Sequence, residues 1–474
     1  MDAHPRRRLR RAPHVLVLAA AAAVGALVVV AGPAARPAAV PAAPLPVVVD
    51  TDLSTDDVLA LLYVLRRPDV DLRAVTVSGT GLVHCPAGGR LALELLALAG
   101  RTDVPVGCGR ARPLAGDNQF PEEWRSRADA LFGVQLPPAA SRPAGSAVEV
   151  LRAALAAAPG KVTLLSLSPL TNTADLFRSD PSAASKLAGV TAMGGAVGVP
   201  GNIGAGHERV EYNLWIDPVA AREVLSSGAP VTLVPLDATN DVPITVFFAQ
   251  ALRRYHYATP EATAAWELFV QAPAVYTGGQ YFWDPLAAVA LTDPSLLRFA
   301  DRRVRVVTAP GAANGRTVVS PAGAPVRVAV GAERAGFERT LLRALLGGAP
   351  FSIQPATVGA AISFDGSRCA YSGPRRGSAG QVAFDTVNRS GRSFRYVVGT
   401  LAEGKTLAQL RAVVRRTGRL EASSWFSVEL TGETPPQSRM TWLAGLSPGR
   451  KALACTASPR LAQVVAPIVV ELGR

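Results

Sequence analysis

Histidine is scarce in this chain and stops at His256. The five histidines form no metal set, although His84 and His207 sit on loops that could approach a pocket, and His256 lies between Tyr255 and Tyr257. Lysine is sparse too, so arginine carries the positive charge. The formal net charge is +13, but no dense basic run follows Arg36. Nucleic-acid binding would need such clustering, so no nucleic-acid partner is expected. There are four cysteines and no C-x-x-C, which gives no support to a zinc or thiol-redox motif.

The 474 residues are long for one domain and sufficient for two or three. Residues 1–45 read as an export signal or an N-terminal membrane anchor. Arg6 to Arg11 supply the charged start, Val15 to Ala31 the apolar stretch, and Gly32 to Pro46 a small, proline-rich run. Cleavage and anchoring are both open, and the expected location is outside the cytoplasm, secreted or held at the membrane. An even number of cysteines in an exported chain suggests disulfides. Pairing by neighbourhood gives Cys85–Cys108 and Cys369–Cys455, though three connectivities exist.

From Pro46 to Ala349 short apolar runs alternate with longer amphipathic ones. Val47 to Val49, Leu72 to Val77, Val162 to Leu167, Val190 to Met193 and Val231 to Val234 read as buried strands. Asp56 to Arg66, Arg90 to Ala99, Ala147 to Ala157 and Pro218 to Ser226 read as helices. This alternation predicts an α/β domain over 46–349, an open, mostly parallel sheet with helices on both faces. Ligands of such sheets sit beyond the carboxyl ends of the strands. After residue 357 the pattern changes to period two, as in Gln381 to Phe384 and Trp425 to Leu430. Residues 357–474 therefore read as a small all-β sandwich of about 110 residues.

Four carboxylates fall in eight residues directly after the first strand: Asp50, Asp52, Asp56 and Asp57. Asp56 and Asp57 could serve only to open a helix, with Ser54 or Thr55 as its cap. That leaves Asp50 and Asp52 at a strand end, where mutual repulsion calls for a cation or substrate hydroxyls.

The stretch Val47-Val48-Val49-Asp50-Thr51-Asp52 followed by Asp56-Asp57 resembles the D-x-D-x-x-x-D-D signature of the inosine–uridine-preferring nucleoside hydrolases. Further segments match in order: Ala74 to Gly79, Asp103 to Val106, Ser168 to Asn172, Met193 to Gly195, Gly201-Asn202, Glu211 to Asn213, Asp217-Pro218 and Trp283-Asp284-Pro285. The resemblance spans Pro46 to Leu346. It implies hydrolysis of the N-glycosidic bond of ribonucleosides to base and ribose. It implies a calcium ion on Asp52, Asp57, Asp284 and the main-chain carbonyl of Leu167, with a water polarised by the ion and Asp52 as general base. It assigns Asp56, Thr80, Met193, Asn202, Glu211, Asn213 and Trp283 to the substrate, and fits Asp50 behind the ligands. Relatives are commonly oligomers, so a homo-oligomer is open here. The C-terminal part resembles the cupredoxin-like or immunoglobulin-like modules appended to exported enzymes. Copper is not supported there, because the region has no histidine.

The signature's Pro-Gly is Leu53-Ser54 here, and Thr80 stands where relatives carry an asparagine or acid. Trp283 stands where pyrimidine-tolerant relatives place a histidine. Tryptophan cannot protonate a leaving base but can stack on one, which leans the expectation toward purines. Tyr276, Tyr281 and Phe282 could complete an aromatic wall. Two other readings remain: a haloacid-dehalogenase-like phosphatase, which leaves Asp56-Asp57 without a role and wants a later lysine, and a non-catalytic exported nucleoside binder.

Overall fold

A computed structural model describes residues 43–204, 206–272, 275, 280–353, 360–373, 375–378, 380–417, 426–446, 449–458 and 461–471. The expected export segment up to residue 42 lies outside these residues, as do Tyr276 and Trp425. No helix among the described residues is long and apolar enough to cross a membrane.

The first domain is built on a ten-stranded sheet. Its early elements are β1 (Leu45–Thr51), α1 (Thr55–Leu65), β2 (Val70–Val77), α2 (Cys85–Leu98), β3 (Val106–Cys108), α3 (Glu122–Asp129), β4 (Gly145–Ser146) and α4 (Ala147–Ala157). The middle runs β5 (Val162–Ser166), α5 (Thr171–Ser179), α6 (Ala183–Lys186), β6 (Leu187–Met193), α7 (Tyr212–Ile216), α8 (Pro218–Leu225) and β7 (Val231–Val234). It closes through α9 (Leu236–Thr239), α10 (Val246–Tyr255), α11 (Pro260–Gln271), α12 (Trp283–Thr292), β8 (Leu297–Val306), β9 (Thr317–Val319), β10 (Ala324–Ala332) and α13 (Arg334–Leu345).

The strand order is β4-β3-β2-β1-β5-β6-β7-β10-β8-β9. Pairing is parallel from β4 to β10, and β8 and β9 close the edge antiparallel. The chain winds outward in both directions from β1 and β5. Their junction is the topological switch point, where the crevice of such a sheet opens. Alternation along β1 explains the two-sided burial: Val47 and Val49 pack into one apolar cluster, Val48 into the other. Each cluster is covered by helices, so the strands read as continuous apolar runs. Where caps are local the sequence states them plainly. Ser146 and Glu149 form a capping box at the start of α4.

The C-terminal region holds two small sheets. Their strands are β11 (Ala360–Phe364), β12 (Cys369–Ser372), β13 (Arg376–Ser378), β14 (Gly380–Asn388), β15 (Phe394–Leu401), β16 (Phe426–Thr434), β17 (Arg439–Leu446), β18 (Gly449–Ser458) and β19 (Leu461–Glu471). One sheet has the order β12-β11-β14-β17 and the other β13-β19-β18-β15-β16. The two cysteine pairs are the ones expected by neighbourhood. Cys85 is bonded to Cys108, and Cys369 on β12 to Cys455 on β18, so the second bond ties the two small sheets together. One element departs from an all-β expectation. Between β15 and β16 lies helix α14 (Leu407–Thr417), whose Leu410 packs with Leu401, Phe426 and Ala452.

Candidate active site

The carboxyl ends of β1, β5 and β6 open into a cavity of about 450 Å³. The turn after β1 brings Asp52, Asp56 and Asp57 to it, β5 brings Leu167, β6 brings Met193, and α12 opens into it with Trp283 and Asp284. Asn202, Glu211 and Asn213 line it from the connection after β6. A larger cavity of about 760 Å³ lies elsewhere, beside Thr245, Arg334 and Glu338, and holds no group of carboxylates.

The turn itself is tightly wound. Leu53 adopts φ 53°, a left-handed conformation unusual for a branched, buried side chain. The turn is held by Asp57, whose Oδ1 accepts from the Thr51 hydroxyl at 2.6 Å and from the Asp52 amide at 3.0 Å. The Leu53 amide donates to Thr51 Oγ1 at 3.1 Å. Ser54 begins α1 without capping it through its side chain; its hydroxyl donates to Asp56 instead. The amide of Asp284, at the start of α12, donates to Asp56 Oδ2 at 3.4 Å. Two helix N-termini thus face the same acids, which suits negative charge there.

Carboxylate oxygens of Asp56, Asp57 and Asp284 lie within 4.8 Å of one another, all buried. Burial pushes the Asp284 carboxyl well above the ordinary range, and the charges of Asp57 and Asp56 push it further. Asp52 is raised by burial and then by Asp57. Asp56 is pushed up to about 6 by burial and by Asp57. One oxygen, Asp284 Oδ1, is buried with no hydrogen-bond partner. Such a group costs free energy unless something compensates it. Oxygen donors converging on one point, with one donor unpartnered, fit a hard divalent cation.

Asp50 stands behind this group, fully buried. It accepts from the Thr76 hydroxyl at 2.7 Å, Asn172 Nδ2 at 2.7 Å and the Ser168 hydroxyl at 3.1 Å. Burial still outweighs these bonds and raises its carboxyl to about 6. Its three partners come from β2, the turn after β5 and the start of α5, so it joins elements that frame the cavity.

The polar residues on the far side are also fixed. Asn213 Nδ2 donates to the Leu167 carbonyl at 3.1 Å and to the Met193 carbonyl at 3.4 Å. Glu211 caps α7, accepting from the amides of Asn213 at 2.8 Å and Leu214 at 3.1 Å, and from Gly195 at 2.8 Å. Burial raises its carboxyl. Asn202 Oδ1 accepts from the Tyr212 amide at 3.1 Å.

Thr80 is the expected substrate contact that the structure does not bring to the cavity. It is buried, and its hydroxyl bonds to those of Ser78 at 2.9 Å and Thr171 at 3.0 Å. The neighbouring Gly81 packs on Asp52 in its stead. Among the described residues of the expected aromatic wall, Trp283 alone lines the cavity; Tyr276 lies outside them. Phe282 points into the core against Phe248 and Phe337, and Tyr281 packs toward the C-terminal sheets. His84 is bonded to Asp129 and His256 to the Arg253 carbonyl, and among the described residues no histidine lines the cavity.

Several lining residues were not anticipated: Leu82, Phe120, Trp124, Arg127, Phe132, Tyr212 and Gln280. Phe120 stacks on Tyr212 at 5.1 Å, with Trp124 at 5.9 Å from the same ring. The available signal was aromatic residues in an otherwise polar, proline-flanked stretch around α3.

Residues 47–339 match the family described as inosine-uridine preferring nucleoside hydrolase. The chain belongs to this family. It is 32% identical over 290 residues to the pyrimidine-specific ribonucleoside hydrolase RihA of Escherichia fergusonii, covering 58% of this chain and 88% of that protein. RihA of Escherichia coli matches to the same extent. Among solved structures, a plant nucleoside hydrolase, PpNRh1, superposes with a TM-score of 0.58 at 28% identity, over 65% of this chain and all of that one. The inosine-uridine preferring nucleoside hydrolase from Bacillus anthracis does so at 0.55 and 24% identity, over 64% of this chain and 99% of that one, a likeness of fold. The family's chemistry is hydrolysis of ribonucleoside N-glycosyl bonds, and it is metal-dependent. The β11–β19 region lies beyond the matched residues.

Proposed function

We propose that this nucleoside hydrolase releases the base from ribonucleosides with Asp52 as general base and calcium as the resident ion. The observation that carries this reading is the unpartnered Asp284 oxygen among converging buried carboxylates. Asp52, Asp57, Asp284 and the Leu167 carbonyl would hold the ion, with Asp56 close enough to share it. When bound, the ion supplies a Lewis acid that makes a water acidic near neutral pH. Asp52 faces the cavity from a turn that fixes its backbone, where it would accept a proton from a water held beside it. Asp56, Asn202, Glu211 and Asn213 orient the ribose, and their negative and amide dipoles stabilise the positive charge that develops on the sugar. Met193 packs beside the ring.

Trp283 forms the wall for the base. It offers a flat apolar face and no titratable proton, which favours a large stacked base such as a purine. The 32% identity to pyrimidine-specific RihA favours the opposite preference. The phosphatase reading loses ground, because among the described residues no lysine lines the cavity. Export is part of the same proposal, since two disulfides suit an oxidising compartment.

Reducing-sugar release across inosine, guanosine, uridine and cytidine, with and without chelator, tests the whole reading. Hydrolysis is expected, lost on chelation and restored by calcium, and faster on inosine and guanosine. Asp52→Ala should abolish turnover while ribose-competitive binding persists. Undiminished turnover in that variant would overturn the role of Asp52.

A further inference from the structure

Three consecutive aromatic residues at the entrance to α12 point in three directions. Phe282 is fully buried in the catalytic core, against Phe248 at 4.7 Å and Phe337 at 5.2 Å. Trp283 lines the cavity. Tyr281 belongs to the C-terminal core: it clusters with Ile362, Phe364, Phe384, Tyr396 and Met440, and its hydroxyl donates to Met440 Sδ at 3.4 Å. The Tyr281 and Trp283 rings lie 5.8 Å apart, and Trp283 packs against the C-terminal cluster as well as the catalytic core. The backbone is pinned on either side of Tyr281. The Ile244 amide donates to the Gln280 carbonyl at 2.8 Å, and the Phe282 amide to Val242 at 3.0 Å. Tyr281 therefore cannot move without carrying its neighbours, and Gln280 also lines the cavity.

We infer that the C-terminal sheets form one wall support of the active site, with Tyr281 as a positioning residue that sets the pose of Trp283. The inference rests on the reading of Trp283 as the wall for the base. A catalytic domain with this segment unsupported would leave the aromatic face free to tilt. Docking Tyr281 in the C-terminal core removes that freedom, and preorganised contacts discriminate better between substrates. The appended domain is thus assigned to base selection, away from the carboxylates that do the chemistry.

The test uses the full chain. Met440→Ala and Tyr281→Ala should each raise KM for the preferred nucleoside about 3- to 10-fold and shift the inosine-to-uridine ratio of kcat/KM in the same direction, with kcat little changed. The double variant should equal Tyr281→Ala alone, because both single changes break the same contact. Tyr281→Phe, which keeps the ring, should restore most of the selectivity. The emission of Trp283, isolated by subtracting the Trp283→Phe spectrum in each background, should move with Met440→Ala. Leu410→Ala, which opens a hole in the other C-terminal cluster, should lower the melting temperature and leave KM and the ratio unchanged. Where Met440→Ala does not fold, Met440→Val carries the same readouts. A folded Met440 variant with unchanged KM, ratio and Trp283 emission overturns the inference. Trp283→Ala separates the two ideas: an unchanged ratio there defeats the base-wall reading, while a changed ratio there with none in the Met440 variants defeats the coupling.

Discussion

The buried acids set the behaviour of this protein toward pH and cations. Asp50 binds its proton near pH 6 in the folded chain against an ordinary value of 3.8. Between these values the folded state holds more protons than the unfolded state, so stability falls as pH rises through the interval. Asp50 alone accounts for about 3 kcal/mol of that loss. Asp52, Asp56, Asp284 and Glu211 are shifted in the same direction. Protein stripped of divalent ions should therefore melt at a higher temperature at pH 5 than at pH 8, the reverse of ordinary acid lability. An ion that binds the ionised carboxylates should restore stability at pH 8 and do little at pH 5. Melting curves with chelator and with calcium at both values check this. Indifference to chelation at pH 8 would count against an ion at Asp56, Asp57 and Asp284.

The loop after β2 shows how one element holds Asp52, the proposed general base, in place. The Gly81 amide donates to the Ser78 carbonyl at 3.0 Å, and the Val83 amide to the Asp52 carbonyl at 3.1 Å. A Cβ at Gly81 would lie 2.2 Å from Asp52 Cβ and 2.5 Å from its Oδ2. Gly81→Ala must displace the carboxylate, since the backbone on both sides is bonded. We expect kcat/KM to fall about 100-fold, with a stability loss of about 1–3 kcal/mol. Steady-state kinetics beside a melt decide it; wild-type kinetics would show that Asp52 tolerates the shift. The same loop separates what is local in the sequence from what packing decides. The strand end carrying Asp50 and Asp52 was legible, because an apolar run followed by acids is a local pattern. The side-chain placement of Thr80 is not legible there, because whether a hydroxyl faces the cavity or the Ser78 and Thr171 hydroxyls depends on packing. The family resemblance implies Asp56 as a contact to the sugar. Its approach to Asp284 needs the starts of α1 and α12 to meet across 228 positions, which no spacing reveals. Helix α14 carries Leu407 and Leu410 at helical spacing, yet its alternating neighbours pulled the region toward an all-β reading.

At the scale of the whole molecule, the question is whether the C-terminal sheets unfold as a separate unit or with the site. The Cys369–Cys455 bond joins the two sheets across a sequence separation of 86. Closing a loop of that length removes unfolded-state entropy worth about 4–5 kcal/mol. Replacing both cysteines by serine should therefore lower the C-terminal transition well below that of the ten-stranded domain, which keeps its own Cys85–Cys108 bond. Tyr281 lies in the C-terminal cluster and Trp283 touches it, so a nucleoside in the cavity should favour the docked state. In an Asp52→Ala background, where substrate persists, inosine at 100 times its Kd contributes about 2.7 kcal/mol to whichever cooperative unit completes the site. Calorimetry of the triple variant should show that increment in the lower transition as well as the upper one. A lower transition that ignores inosine, with the upper one shifted, would mean that the sheets are carried by the enzyme without shaping its site.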